Sequence, residues 1–267
     1  MSSIVKATSA QMTRRLIVLA TAVFAVAIGQ AQTALGWGQT AQAFSADSDD
    51  TLQVAGYAFA IWGVIYLGIL IYAVRQVLPQ TGESLMIHCF GWPSALAFLG
   101  IGLWIVAAAL DQEVATIVLI FGALTVLLIP LLRNAGAIRA LDKKDRDRWI
   151  TLWPLALLAG WLTVAAPLNL ITVATGNSDL PAALSPTVWA MLAIAIVALV
   201  ALAVTQQIRT VAYAIPIAWG LLGAFVAEQE RNTPLAYFAL VAAVAVLVGA
   251  IVLSFRLRPG IERPSQA

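Results

Sequence analysis

The feature that most constrains this chain is the spacing of its charges. Eight runs, each about the 18–20 residues that a helix needs to cross a hydrocarbon core, carry no Asp, Glu, Lys, Arg or His. Polar segments separate them. With 61% apolar and only 10% charged residues, and a mean hydropathy of +0.91, the composition lies far from that of a soluble domain, about a quarter of which is charged. The strand-period alternation of a β-barrel is absent, so the expected fold is all-α, a polytopic membrane helix bundle.

The runs cover approximately residues 16–35, 54–74, 92–110, 114–132, 149–175, 188–207, 211–227 and 234–255. The first follows Arg14 and Arg15, and Ala41-Gln42-Ala43 behind it is similar to a signal-peptide cleavage site. Its apolar run is longer than a signal core of roughly 7–15 residues, so a retained helix is expected. A polar loop over 37–53 carries Asp47, Asp49 and Asp50, and His88 and Cys89 fall in the linker before the third run. Threading eight helices back and forth puts 14 of the 15 Lys and Arg residues on the side of the N-terminus, leaving only Arg231 opposite. The positive-inside rule then predicts both termini in the cytoplasm, most simply in a cell's inner membrane.

Charge-free spans disfavour a proton- or ion-coupled carrier, which needs an ionisable group at membrane depth. Asp111, Glu228 and Glu230 sit at span ends and read as interfacial loop charges. Adjacent His88 and Cys89 have poor geometry for one metal, and no other histidine exists to complete a site. Phosphate loops, nucleophile elbows and basic tracts for nucleic acid are missing too. No cofactor or metal is expected, and no ordinary catalytic machinery is visible.

What remains is aromatic. The stretch 56–70, GYAFAIWGVIYLGIL, puts Phe59, Trp62 and Tyr66 at i, i+3 and i+7, one face of an α-helix, with Gly56, Gly63 and Gly68 allowing close approach. The stretch 153–173 puts Trp161, Ala165, Leu168 and Asn169 on one face. Asn169 needs a hydrogen-bond partner in lipid, and Pro154 and Pro167 are weak points around which a helix can bend. Trp149 and Trp153 suit an interfacial belt. Trp62, Trp104, Trp161 and Trp219 lie deeper and need helix neighbours or a ligand. Tyr57–Gly63 is echoed by Tyr213–Gly220, although the match needs a one-residue insertion.

Two of these stretches carry a resemblance. Trp62-Gly-Val-Ile-Tyr66 is similar to the second helix of the TspO/MBR family, the tryptophan-rich sensory or translocator proteins. Trp161, Ala165, Leu168 and Asn169 resemble that family's fifth helix. Ala60-Ile61 stand here before Trp62, where the family has Gly-Pro, and the family's Pro-Pro before the second helix is missing. The resemblance implies a five-helix unit over residues 1–175 and an additional three-helix segment with a short tail over 176–267. It also implies a cavity that accepts flat hydrophobic molecules, tetrapyrroles or sterol-like compounds. Trp62, Tyr66, Trp161 and Asn169 are the carried-over lining, to which Phe59, Trp104 and Ala165 are added from the pattern above.

The resulting expectation is a membrane binder, sensor or carrier of a planar hydrophobic ligand, in contact with the lipid bilayer and capable of forming a homodimer. Two alternatives stand beside it: a structural or assembly membrane protein without a small ligand, and slow, tryptophan-assisted breakdown of a porphyrin.

Overall fold

The computed structural model describes residues 7–46, 52–78 and 84–255. Among these, eight helices are long and apolar enough to cross a membrane. The acidic residues Asp47, Asp49 and Asp50, the linker residues Pro79, Gly82 and Glu83, and the C-terminal arginines lie outside the described residues. In chain order the helices are α1 (Ser9–Leu35), α2 (Ala41–Ala46), α3 (Ile61–Val77), α4 (Leu85–Ala109), α5 (Glu113–Arg133), α6 (Ala135–Ala140), α7 (Trp153–Gly176), α8 (Pro186–Ile208), α9 (Val211–Glu228) and α10 (Thr233–Phe255). A 3-10 stretch, Gly56–Ala60, leads into α3, and a wide π turn, Asp147–Leu152, leads into α7. Pro154, which has no N–H to give to a carbonyl four residues back, directly follows that turn.

Capping chemistry sets several boundaries that hydropathy missed. Helix α1 begins at a capping box: the Thr8 hydroxyl accepts from the Gln11 N–H at 3.3 Å, and the Gln11 side chain accepts from the Thr8 N–H at 2.9 Å. Arg14 and Arg15 are therefore inside the first helix, and both are buried. Helix α4 starts at Leu85 because the Ser84 hydroxyl accepts from the Ile87 N–H at 3.1 Å. His88 and Cys89 consequently belong to the helix and not to a linker, and the Cys89 thiol reaches the Asn134 carboxamide oxygen at 3.3 Å. The charge-free reading of the spans is corrected accordingly: the spans themselves are charge-free over their central turns, but their helices extend past those limits. Glu228 is likewise no loop charge. It ends α9, is buried, and accepts from the Gln53 backbone N–H at 2.6 Å.

Helix α7 is the hub, touching α3, α5, α8 and α9. Helix α1 packs on α3 and α4, α4 on α5, and α10 on α8 and α9. In lipid this packing must come from close fit and hydrogen bonds rather than from the hydrophobic drive. Gly160 shows the fit: a Cβ there would stand 2.0 Å from the Tyr213 carbonyl oxygen of α9, so only glycine permits this approach. Beside it the Thr163 and Tyr213 hydroxyls are 2.7 Å apart. Helix α9 is thus seated directly on α7.

At the basic end a buried polar network ties the helices together. The Arg75 guanidinium of α3 pairs with the Asp147 carboxylate and donates to the Thr151 hydroxyl at 2.5 Å. One turn deeper, the Tyr72 and Ser94 hydroxyls meet at 2.9 Å, joining α3 to α4.

Candidate functional site

The other half of the bundle holds a predominantly apolar cleft, lined by residues of α2, α3, α4, α5, α7 and α9. Phe59, Trp62, Trp104, Trp161, Ala165 and Asn169 line it, as does Leu168. Tyr66 is not among the lining residues. Its ring stacks behind Trp62 at a centroid distance of 5.1 Å, so it backs the wall. The one-face pattern expected for Phe59, Trp62 and Tyr66 is also modified, because Phe59 falls in the 3-10 stretch, where the α-helical register does not apply. Phe59 nevertheless shares the cleft with Trp62, and both rings meet Trp161 of α7.

The walls are built from rings meeting edge to face. Trp161 of α7 receives Trp62 at 6.1 Å with a 79° interplanar angle, and Phe59 at 6.3 Å with 76°. Trp104 of α4 meets Phe44 of α2 at 5.9 Å and 88°. Each such pair contributes about 0.5–1.5 kcal/mol beyond its burial. Perpendicular rings leave a corner, in which a flat guest can lie on one ring face and turn its edge to the next.

Asn169 is already engaged. Its carboxamide oxygen accepts from the Trp104 indole N–H at 3.0 Å, and its NH₂ donates to the Thr116 hydroxyl at 3.0 Å. Thr116 in turn donates to the Glu113 carbonyl at 2.6 Å. Asn169 therefore binds α7 to α4 and α5 and fixes the orientation of the Trp104 ring. Of the two roles open to it in the sequence, ligand contact or helix pinning, the geometry fills the second.

The loop expected over 37–53 contains α2, which covers the cleft. Gly38, in the left-handed conformation at φ 64°, lies so close to α4 that a Cβ would stand 2.1 Å from the Ala109 carbonyl oxygen. The Gln39 backbone N–H donates to that same oxygen at 3.3 Å, and its side chain donates to Asp111 at 2.9 Å. The Gln32 side chain donates to the Trp37 carbonyl at 2.9 Å. Held in this way, α2 sends Phe44 into the cleft, where it is 3% exposed. The weak signal for it was one aromatic residue among small and polar neighbours, Ala41-Gln-Ala-Phe44-Ser-Ala46. Ile101, Ile120 and Leu162 also line the cleft, and in the sequence they look the same as lipid-facing aliphatics.

Helix α9 supplies Gly220 to the wall. The two echoed segments lie side by side here: the Trp219 indole N–H donates to the Ala58 carbonyl at 2.9 Å, and Tyr57 meets the Trp219 ring at 5.4 Å. Trp219 therefore braces the 3-10 stretch and does not line the cleft. Trp149 and Trp153 stack with each other at 4.8 Å at the basic end, where the Trp149 indole donates to the Lys143 carbonyl at 2.7 Å.

No curated protein and no solved structure matches the chain. A family model described as TSPO-like protein matches residues 14–252, a span that begins within α1, ends within α10 and takes in every residue of the aromatic cleft. The chain is an integral, multi-pass membrane protein of the TSPO-like family.

Proposed function

We propose that this protein binds a planar hydrophobic ligand, a tetrapyrrole or a sterol-like compound, as a sensor or carrier. The observation that carries the reading is the corner formed by Trp62 and Phe59 against Trp161 in the apolar cleft. Rings at right angles hold a flat guest by one stacked face and one edge, and the aliphatic remainder of the wall excludes water. Asn169 positions Trp104 and leaves the holding of the ligand to the aromatic walls.

Threading the eight spans back and forth puts fourteen of the fifteen basic residues on the side of the N-terminus. This supports the reading that both termini face the cytoplasm and that α2 covers the cleft from the other side. Lipid is the surrounding partner, and a homodimer is compatible with the exposed apolar helix faces.

The test is a spectral titration of the purified protein in lipid nanodiscs with protoporphyrin, beside a non-aromatic lipid of similar hydrophobicity. Saturable binding specific to the porphyrin, weakened at least about tenfold (1.4 kcal/mol) by Trp62→Ala, supports the proposal. An equal, non-saturable response to both compounds overturns it and favours the assembly role.

A further inference from the structure

The segment that leads into α3 lies along α9, and three hydrogen bonds join the two in opposite order. The Trp219 indole N–H donates to the Ala58 carbonyl at 2.9 Å, the Gly223 carbonyl accepts from the Ala55 N–H at 3.0 Å, and the Glu228 carboxylate accepts from the Gln53 backbone N–H at 2.6 Å. Gly223 permits the approach, since a Cβ there would stand 2.8 Å from both the Ala58 Cβ and a Val54 methyl. Helix α9 is itself packed between α7, α8 and α10.

The segment is held there against two local costs. Leu52, directly before Gln53, is buried in the left-handed conformation at φ 42°, which non-glycine residues seldom adopt. Such a conformation persists where the surroundings over-determine it, and it recurs at ligand clamps. Glu228 is the second cost, because a carboxylate that is 4% exposed has been taken out of water. Both costs meet at the single hydrogen bond from Gln53 to Glu228. What the segment carries is the wall of the cleft: Val54 and Phe59 line it, and Phe59 is one of the two rings set against Trp161. The cover rests on the same segment. The Gln53 side chain donates to the Ala46 carbonyl at 3.5 Å, and a Cβ on Gly56 would stand 2.4 Å from the Gln42 amide nitrogen.

We propose that Glu228 is a positioning residue for the aromatic cleft: through Gln53 it fixes the 52–58 segment, and so sets Phe59, Val54 and the α2 cover in the arrangement that receives the ligand. This rests on the ring-binding reading above. Helix α9 then belongs to the ligand site although it gives the lining only Gly220. The last three spans become part of the site's framework and not an appendage to it. A wall held in its binding arrangement before the ligand arrives spares the cost of ordering it on binding.

The experiment compares the wild type, Glu228→Gln, Glu228→Leu and Arg75→Ala in lipid nanodiscs, reading protoporphyrin affinity and amide hydrogen exchange over residues 52–60. Glutamine keeps an oxygen for the Gln53 N–H, and leucine has none. The expected result for Glu228→Leu is faster exchange in that segment and an affinity weaker by at least about tenfold, with Glu228→Gln within about threefold of the wild type in both readouts. Arg75→Ala, destabilised at the other end of the bundle, keeps its affinity, which separates positioning from a general loss of stability. Faster exchange with unchanged affinity in Glu228→Leu shows a clasp that serves the fold alone and overturns the proposal, while leaving the ring site standing. Unchanged exchange in that variant, or an equal loss of affinity in Arg75→Ala, overturns it as well. Absence of saturable porphyrin binding to the wild type overturns the ring reading and the positioning role together. If Glu228→Leu does not fold, Trp219→Phe takes its place under the same outcomes, since it removes the N–H given to Ala58 and keeps a ring beside Tyr57.

Discussion

The two ends of the bundle are held by different physics. At the basic end, Arg75, Asp147 and Thr151 form a partly buried, charge-assisted network, and Tyr72 and Ser94 add a second bond between helices. At the cleft end, Trp62, Phe59, Trp161, Trp104 and Phe44 meet edge to face around a space that no side chain fills. Directional bonds fix one geometry and tolerate little loss, because removing one partner leaves the other buried and uncompensated. Ring contacts are individually weak and adjustable. On the proposed ring-binding reading, rigidity and ligand capacity reside in separate halves of the molecule, so mutations should separate them.

The largest expected effect is at the basic end. Arg75→Ala removes the cation facing Asp147, which is 9% exposed and keeps the Thr151 hydroxyl, and should cost about 3 kcal/mol, the low end for a buried pair. It would be read as a lowered thermal midpoint in detergent, while the fraction that remains folded keeps its ligand affinity. Next comes the helix seam that both ends share. Gly160→Ala drives a methyl into the Tyr213 carbonyl and should cost about 1–3 kcal/mol by the same measurement. Asn169→Leu removes both hydrogen bonds that pin α7 to α4 and α5. A loss of about 1–2 kcal/mol is expected, together with weaker porphyrin binding, because the Trp104 ring is released. Tyr72→Phe deletes the bond to Ser94 and the weaker hydroxyl interaction with Gln76 and should cost about 1 kcal/mol with no change in binding. The smallest effect belongs to Tyr66→Phe. Its ring still backs Trp62, so stability and affinity should both stay within measurement error. A large loss of affinity there would show that the hydroxyl reaches the ligand and would redraw the cleft.

The eight spans were legible in the sequence because hydropathy acts over about twenty residues and averages out local detail. The face of α7 was legible for the same reason that any helical face is: Trp161, Ala165, Leu168 and Asn169 recur at helical spacing, and all four line the cleft. What lay outside that logic was local or tertiary. Ser84 moved the start of α4 back by one hydrogen bond, and the box at Thr8 drew Arg14 and Arg15 into a helix. Tyr66 kept its spacing but not its place: Phe59 and Trp62 both meet Trp161, while Tyr66 stacks on Trp62 outside the cleft lining. Phe44 was hidden because a cover over a cavity is defined by the cavity, and nothing within Ala41–Ala46 encodes what lies beneath it. Gly220 was hidden for a related reason: it matters for the side chain it lacks, against Val164 and Trp161, and small residues are common wherever helices pack.

The measurement that tests this account most directly is the shift in thermal midpoint on adding saturating protoporphyrin to the wild type, Trp62→Ala and Arg75→Ala in the same lipid. A ligand that binds only the folded state stabilises it by an amount set by its affinity, about 2.7 kcal/mol at a hundred times Kd. The account predicts equal upward shifts for the wild type and for the less stable Arg75→Ala, and almost none for Trp62→Ala. A full shift in Trp62→Ala, or its loss in Arg75→Ala, would contradict the assignment of ligand capacity to the aromatic end alone.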